Sequence, residues 1–186
     1  MELVAAPEFD GRAAYASYII VPASSPAKNF YDLEGKRFAF SDPMSMSGRL
    51  VPLYYITQRG KTAETFFRNY IFTYSHDKSI RAVADGLVDG AAVDSLVFAA
   101  FAKKHPEIIA KVKVVQRSED FMSPPVVMRP TLDPALKEKI TSTFLKMHET
   151  EAGRRILAEL GIERFVAITD EAYNPVREIA RKVGYP

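Results

Sequence analysis

The sequence contains a turn of small residues, Phe40-Ser41-Asp42-Pro43-Met44-Ser45-Met46-Ser47-Gly48-Arg49, between a strand-like run and a helix-like run. The strand-like run is residues 37–40, and the helix-like run is residues 50–58. The first N–H groups of a helix lack a partner within the helix, and the helix dipole makes that end positive. Serine hydroxyls there add further hydrogen-bond donors. The turn therefore predicts either an oxyanion site or an ordinary serine N-cap.

Length and composition indicate a globular chain with one domain or two small lobes. The 186 residues are 47% hydrophobic and 26% charged, with a net charge of +2. The charges are interspersed, so the chain gives no polyelectrolyte signal for nucleic acid. The absence of cysteine excludes disulfides and thiolate metal sites. No apolar run approaches the roughly 20 residues of a spanning helix, and we expect no secretory signal in the acidic start of the chain.

Strand-like and helix-like segments alternate along the chain, which predicts an α/β fold. The strands are predicted near residues 37–41, 69–74, 87–94 and 112–116. The helices are predicted at residues 48–59, 76–85, 96–104, 134–147, 151–160 and 171–183. This order predicts a mostly parallel sheet with right-handed crossovers. A further strand at residues 15–21 lies outside the alternation and could be an antiparallel neighbour, whereas residues 1–13 are predicted to be an entering loop.

Polar turns follow the predicted strands at what should be one edge of the sheet. Ligands of open α/β sheets collect at the carboxyl ends of the strands. The turns at those ends are residues 41–47, 74–77, 94–95 and 116–118. Several hydroxyl groups and an imidazole should therefore converge at this edge, which favours the oxyanion site over a simple cap.

Several short motifs, taken in order, resemble a known protein family. They are Tyr15-Ala16-Ser17-Tyr18-Ile19-Ile20-Val21, Asp32-Leu33-Glu34-Gly35-Lys36-Arg37, Asp42-Pro43-Met44-Ser45-Met46-Ser47-Gly48, Tyr74-Ser75-His76-Asp77 and Gly86-Leu87-Val88-Asp89-Gly90-Ala91-Ala92-Val93-Asp94-Ser95. Each motif is weak alone, but their order and spacing are specific. Together they resemble the phosphonate- and phosphite-binding subunit of bacterial ABC importers, a type 2 periplasmic binding protein.

The resemblance implies a fold of two α/β lobes that clamp a ligand. Residues 14–122 would form a complete second lobe with a mostly parallel five-stranded sheet. Residues 1–13 and 123–186 would be the remnant of the first lobe, with its C-terminal helices. Most of the βαβ units that the family places before the tyrosine strand have no counterpart here. An expression fragment, a gene remnant and a functional short form all remain open.

The resemblance also implies a ligand site at the turn of small residues. Ser45, Met46 and Ser47 would surround the phosphoryl oxygens at the start of the helix. Hydroxyl and backbone N–H groups can bind a tetrahedral oxyanion with little need for arginine. Met46 stands where the family usually has threonine, which removes one hydroxyl, so we expect weaker binding or an altered ligand.

Residues outside this turn would complete the site. His76 would donate a hydrogen bond to a phosphoryl oxygen, although a histidine at a helix start is also an ordinary cap. Tyr15 would supply a phenol from the hinge strand, or be only an aromatic residue on an edge strand. Asp94 could accept a proton from a monoprotonated ligand or cap the next helix.

Two residues of the sequence limit the class of ligand that the resemblance implies. Leu96 and Pro124 match positions where relatives that bind aminoalkylphosphonates place carboxylates near the amine, and neither residue is acidic. This argues against 2-aminoethylphosphonate and leaves phosphate, phosphite or a small alkylphosphonate. We expect no cofactor, metal or catalytic activity, because the three histidines lack metal-ligand spacing and no nucleophile motif is present.

The sequence thus predicts a solute-binding protein, or a lobe of one, for a small phosphorus oxyanion. Its partner would be an ABC permease, and its location would be periplasmic or membrane-anchored and extracytoplasmic. The alternative is a truncated module for interaction or ligand sensing. Apolar residues of the incomplete lobe should be exposed and favour a homodimer or a swapped assembly. They are Phe144, Leu145, Ile156, Leu157 and Leu160.

Overall fold

The computed structural model describes residues 1–185, which form two compact units. Unit 1 comprises residues 1–15 and 120–175, and unit 2 comprises residues 16–119 together with residues 176–185. The lobe boundaries expected at residues 14 and 122 lie within a few residues of these divisions. The C-terminal helix differs from the expectation: most of it belongs to unit 2, where the Lys182 ammonium lies 5.1 Å from the centre of the Tyr54 ring.

The secondary structure alternates through most of unit 2. The strands are β1 (Glu2–Glu8), β2 (Ala14–Tyr15), β3 (Ser17–Pro22), β4 (Arg37–Phe40), β5 (Asn69–Phe72), β6 (Gly90–Asp94), β7 (Val112–Arg117), β8 (Phe121–Met122), β9 (Val126–Met128) and β10 (Arg164–Val166). The α-helices are α1 (Val51–Thr57), α2 (Ala63–Phe66), α3 (His76–Ala84), α4 (Ser95–Lys104), α5 (Pro106–Ile109), α6 (Pro134–Leu145), α7 (Glu151–Leu160) and α8 (Asn174–Lys182). A π turn at Met46–Leu50 leads into α1. Within residues 1–185, every helix is too short or too polar to cross a bilayer.

Unit 2 is built around a five-stranded sheet in the order β5-β4-β6-β3-β7. β4 pairs in parallel with β5 and β6, while β3 pairs antiparallel with both β6 and β7. Every strand except β3 therefore points in the same direction, which confirms the mostly parallel sheet. β3 corresponds to the strand predicted at residues 15–21, outside the βα alternation. It is antiparallel to its neighbours, as that prediction allowed.

Side-chain alternation along β4 gives the sheet of unit 2 two different faces. Phe38 and Phe40 lie in an aromatic-rich cluster with Phe30 and Phe66, whereas Ala39 lies in a second, mostly aliphatic cluster. Alternate residues of a strand point to opposite faces, so the pattern Phe-Ala-Phe specifies this division. Burying each large apolar side chain contributes about 1.5–3 kcal/mol. These two clusters hold the sheet edge that carries the polar turns.

Unit 1 contains a three-stranded antiparallel sheet in the order β10-β1-β9, with β2 and β8 as a separate two-stranded ribbon. The expectation of a loop at residues 1–13 is wrong, because β1 is the central strand of this sheet. Val4, Ala5 and Ala6 are buried there. The local sequence does not predict a strand here, because proline, as at Pro7, is unusual within a sheet. The partners β9 and β10 come from distant parts of the chain, and β10 was not predicted either.

The apolar surface expected on unit 1 is smaller than predicted. Ile156 and Leu160 of α7 are exposed at 50% and 61%. Leu157 on the same helix is only 2% exposed and lies in a cluster against which Phe144 and Leu145 pack. A homodimer or swapped assembly through this surface stays a prediction.

Candidate functional site

The carboxyl edge of the unit 2 sheet brings the predicted polar turns together. Phe40, the last residue of β4, lies opposite Phe72, the last residue of β5. β6 runs parallel to β4 and ends at Asp94, which lies opposite Ser17 at the start of β3. β7 runs antiparallel to β3 and ends at this edge as well. The expected convergence of these turns is confirmed.

The turn after β4 starts a helix with a serine cap. The Gly48 N–H donates to Ser45 Oγ over 2.9 Å, and the Ser45 carbonyl accepts from the Arg49 and Leu50 N–H groups at 3.1 Å. The cap that the sequence offered as the simpler alternative is therefore present. Met46 and Ser47 are the first residues of the helical segment, where N–H groups have no carbonyl of a preceding helical turn to bind. The cap and a positive helix start thus coexist.

Gly48 allows the turn to approach the end of β4. A Cβ atom at Gly48 would lie 1.7 Å from Ser41 Oγ and 2.7 Å from Ser41 Cβ. Ser41 is fully buried, and its Oγ has no hydrogen-bond partner in the described part of the chain. An unpaired buried hydroxyl is unfavourable, which marks this position as unusual. Sequence reasoning did not assign Ser41 to the site.

A second missed serine anchors the turn to β3. Ser17 Oγ donates to the Ser47 carbonyl over 2.6 Å, and the Ser17 N–H donates to Ser118 Oγ over 2.9 Å. Ser17 is fully buried. The signal that could have identified it is a hydroxyl residue at the start of an otherwise apolar strand, facing a site edge.

His76 begins α3 and reaches the end of β6. The Asp94 N–H donates to His76 Nδ1 over 3.1 Å. Because Nδ1 accepts, the neutral ring carries its hydrogen on Nε2, which is then a donor. Burial lowers the pKa of His76, and the carboxylates of Asp94, Asp77 and Asp42 oppose that shift. The imidazole is therefore held as a neutral hydrogen-bond donor.

Asp94 caps the helix that follows β6. Its Oδ1 accepts from the Leu96 N–H at 2.7 Å and from the Val97 N–H at 3.1 Å. Burial raises the pKa of Asp94, while these two N–H groups and His76 oppose the shift. The capping role that the sequence allowed is thus present for one carboxylate oxygen. A role in accepting a ligand proton stays a prediction.

Tyr15 belongs to unit 1, unlike the other predicted site residues. It lies in β2 opposite Phe121 of β8, its side chain is buried, and the two ring centres are 6.3 Å apart. Its predicted role as a phenol donor stays a prediction. Among residues 1–185, histidine and acidic side chains form no cluster suited to a metal ion.

Folding stability should depend on pH through His76. An unfolded histidine takes up a proton below about pH 6.5, whereas the folded protein resists protonation because its pKa is lowered. The unfolded state then binds more protons, so stability falls as the pH drops from about 6.5 towards the folded pKa, by at most about 1.4 kcal/mol per pH unit for one group. Urea denaturation between pH 7.5 and 5.5 measures this loss. His76→Gln should reduce it, and equal pH profiles for both proteins would contradict the prediction.

The family follows from comparison with known proteins. The family model for the phosphonate-specific periplasmic substrate-binding protein of ABC transporters matches residues 1–173. The chain belongs to this family. It is 31% identical over 175 residues to the phosphonates-binding periplasmic protein of Escherichia coli, covering 92% of this chain and 52% of that protein. It is 26% identical over 166 residues to a probable ABC transporter phosphite-binding protein of Prochlorococcus marinus, covering 86% and 56%. The chain spans about half the length of these curated relatives.

Solved structures of similar proteins share the fold. The TM-score is 0.85 with PhnD1 of Prochlorococcus marinus in complex with methylphosphonate, at 23% identity, covering 100% of this chain and 72% of that one. It is 0.87 with a binding-protein component of an ABC phosphonate transporter from Pseudomonas aeruginosa, at 26% identity, covering 98% and 62%. The expected type 2 periplasmic-binding-protein fold is confirmed. Members of this family are substrate-binding proteins of ABC transporters.

Proposed function

We propose that unit 2 binds a small phosphorus oxyanion at the carboxyl edge of its sheet, as part of a solute-binding protein that serves an ABC permease in the periplasm. The observation that carries this proposal is the 3.1 Å hydrogen bond from the Asp94 N–H to His76 Nδ1. Because this bond occupies Nδ1, the neutral ring offers an Nε2–H donor at the edge where the Met46–Leu50 turn starts a helix. Donors of this kind stabilise an oxyanion without an arginine.

The remaining donors of the site come from the capped turn. The N–H groups of Met46 and Ser47 lie at the positive end of the helical segment. Ser45 Oγ accepts from Gly48, so its own hydrogen is available for a ligand oxygen. The second carboxylate oxygen of Asp94 would accept the proton of a monoprotonated ligand. These groups together would hold the oxygens of one phosphoryl group.

The ligand class is supported by relatives and by two side chains. The curated relatives are named for phosphonates and for phosphite, and one similar structure contains methylphosphonate. Leu96 and Pro124 offer no carboxylate to a ligand amine. We therefore favour methylphosphonate, phosphite or phosphate over 2-aminoethylphosphonate.

Isothermal titration calorimetry with these four ligands tests the proposal. One of the first three should bind saturably, and His76→Ala, which removes the donor, should weaken it by about ten- to a hundredfold, the usual cost of a hydrogen bond to a charged group. His105→Ala is the matched control, because His105 lies at the far end of α4 rather than at the site edge. No heat with any ligand from folded protein would contradict the proposal and favour the interaction or sensing module. If the His76 and His105 variants bind the ligand with equal affinity, His76 does not take part in binding.

A further inference from the structure

Tyr74 has an unusual backbone conformation beside the proposed site. It follows β5 and lies two residues before His76, with φ at 60° in the left-handed region that favours glycine. Its side chain is 69% exposed, so burial within unit 2 does not offset this unfavourable conformation. A glycine would form the same turn without strain, and the presence of a tyrosine therefore requires another reason.

Hydrogen bonds on both sides of Tyr74 hold this conformation. The Thr73 N–H donates to the Phe40 carbonyl over 3.0 Å, and Thr73 Oγ1 donates to the Ser75 carbonyl over 2.9 Å. Thr73 Oγ1 also lies 2.7 Å from Ser79 Oγ of α3. These hydrogen bonds fix the backbone of the turn to β4 and to α3, so the backbone that carries the Tyr74 ring is held in place.

A chain of contacts connects Tyr74 with the turn after β4. The Tyr74 ring lies 6.2 Å from the Phe72 ring, and the Arg49 guanidinium lies 5.9 Å from the centre of the Phe72 ring. Arg49 Nη1 in turn donates to the Pro43 carbonyl over 2.8 Å. Met44, the next residue, is 76% exposed. Met44 and Tyr74 are exposed side chains on the turns after β4 and β5, and these two side chains are called the apolar rim below.

The groups at the helix start itself are polar. Ser17 Oγ donates to the Ser47 carbonyl, and the Asp94 N–H at the end of β6 donates to His76 Nδ1. Tyr74 lies two residues before His76, on the same turn, and is the exposed aromatic residue of that turn. An oxyanion held at the helix start with a bulky apolar substituent could place that substituent against the Tyr74 ring, where it would be removed from water.

We propose that Tyr74 is a specificity-determining residue, which selects phosphonates with an alkyl or aryl substituent by covering that substituent with its ring. This inference rests on the proposed function, since the phosphoryl group must first be held at the helix start. The apolar rim then distinguishes a phosphonate that carries a large carbon group from phosphite, which carries none.

Calorimetric titration with phosphite, methylphosphonate and phenylphosphonate tests this inference. Wild type should bind phenylphosphonate about tenfold more tightly than phosphite, and Tyr74→Gly should remove most of that ratio. Tyr74→Phe is the matched control, because it keeps the ring and should keep the ratio. Tyr74→Gly should also raise the melting temperature, which separates lost selectivity from lost folding.

The outcomes distinguish this inference from the function on which it rests. If the ligands bind but Tyr74→Gly leaves the ratio as in wild type, the role of Tyr74 is wrong and the oxyanion site stands. The same holds if wild type prefers phosphite. If folded wild type binds none of the three, the oxyanion site itself is wrong and the selectivity falls with it.

Discussion

Gly48→Ala is expected to destabilise unit 2 by about 1–3 kcal/mol, the usual cost of forcing a group into a packed site, and to abolish oxyanion binding. The added Cβ would lie 1.7 Å from Ser41 Oγ and 2.7 Å from Ser41 Cβ. Neither partner can move freely, because Ser41 is buried at the end of β4 and the Gly48 N–H is bonded to Ser45 Oγ. Relief of the clash would have to shift the helix start that carries the proposed site.

Urea denaturation and calorimetry with the best ligand measure the two effects of Gly48→Ala. The matched control combines it with Ser41→Gly, which removes both atoms in the clash, and stability should recover relative to Gly48→Ala alone. Ser41→Gly alone provides the reference for the double variant. A Gly48→Ala protein with the midpoint and affinity of wild type would show that the turn and β4 are not in close contact.

Phe30→Ala should have the largest effect on stability, a loss of about 3–5 kcal/mol. Phe30 is fully buried in the aromatic cluster of unit 2. Its ring stacks on Phe66 with centres 5.2 Å apart and planes 3° apart, and it meets Phe38 and Phe67 edge-on at 6.0 Å. The truncation would leave a large cavity that such a cluster cannot close, and the lost ring contacts add to its cost.

Chemical denaturation monitored by circular dichroism measures this loss. Phe30→Leu is the matched control, since it keeps most of the apolar volume and should cost clearly less than Phe30→Ala. The hydrogen bond from the backbone N–H of residue 30 to the side-chain Oε1 of Gln116, at 2.9 Å, is available to both variants. A loss below about 1 kcal/mol for Phe30→Ala would contradict the packing of this cluster, because core truncations of this size cost several times more.

Much of unit 2 could be predicted because its signals are local. The Phe-Ala-Phe pattern of β4, the glycine and serines of the following turn and the alternation of strands with helices all lie within short segments. These signals predicted the parallel strands, the capped helix start and the shared edge where His76 and Asp94 meet. The ordered motifs also indicated the family before any structural comparison.

Unit 1 and the fine chemistry of the site depend on distant parts of the chain. β1 is central only because β9 and β10, from the second half of the chain, pair with it on both sides. A local sequence pattern does not indicate pairing with such distant strands. Pro7 and the short alanine run are also not typical of a central strand. The unpaired hydroxyl of Ser41 and the anchoring bond of Ser17 likewise appear only when separate strands meet.

The sequence by itself determined the fold class of unit 2, the family and the residues proposed to bind an oxyanion, because residue type and spacing encode strand, turn and helix start directly. The tertiary structure decided which state those residues adopt. His76 is a neutral Nε2–H donor because the backbone of β6 supplies an N–H to Nδ1, and Tyr74 is held in a left-handed turn by hydrogen bonds to β4 and α3. Protonation and strain depend on such contacts between elements, which no single segment contains.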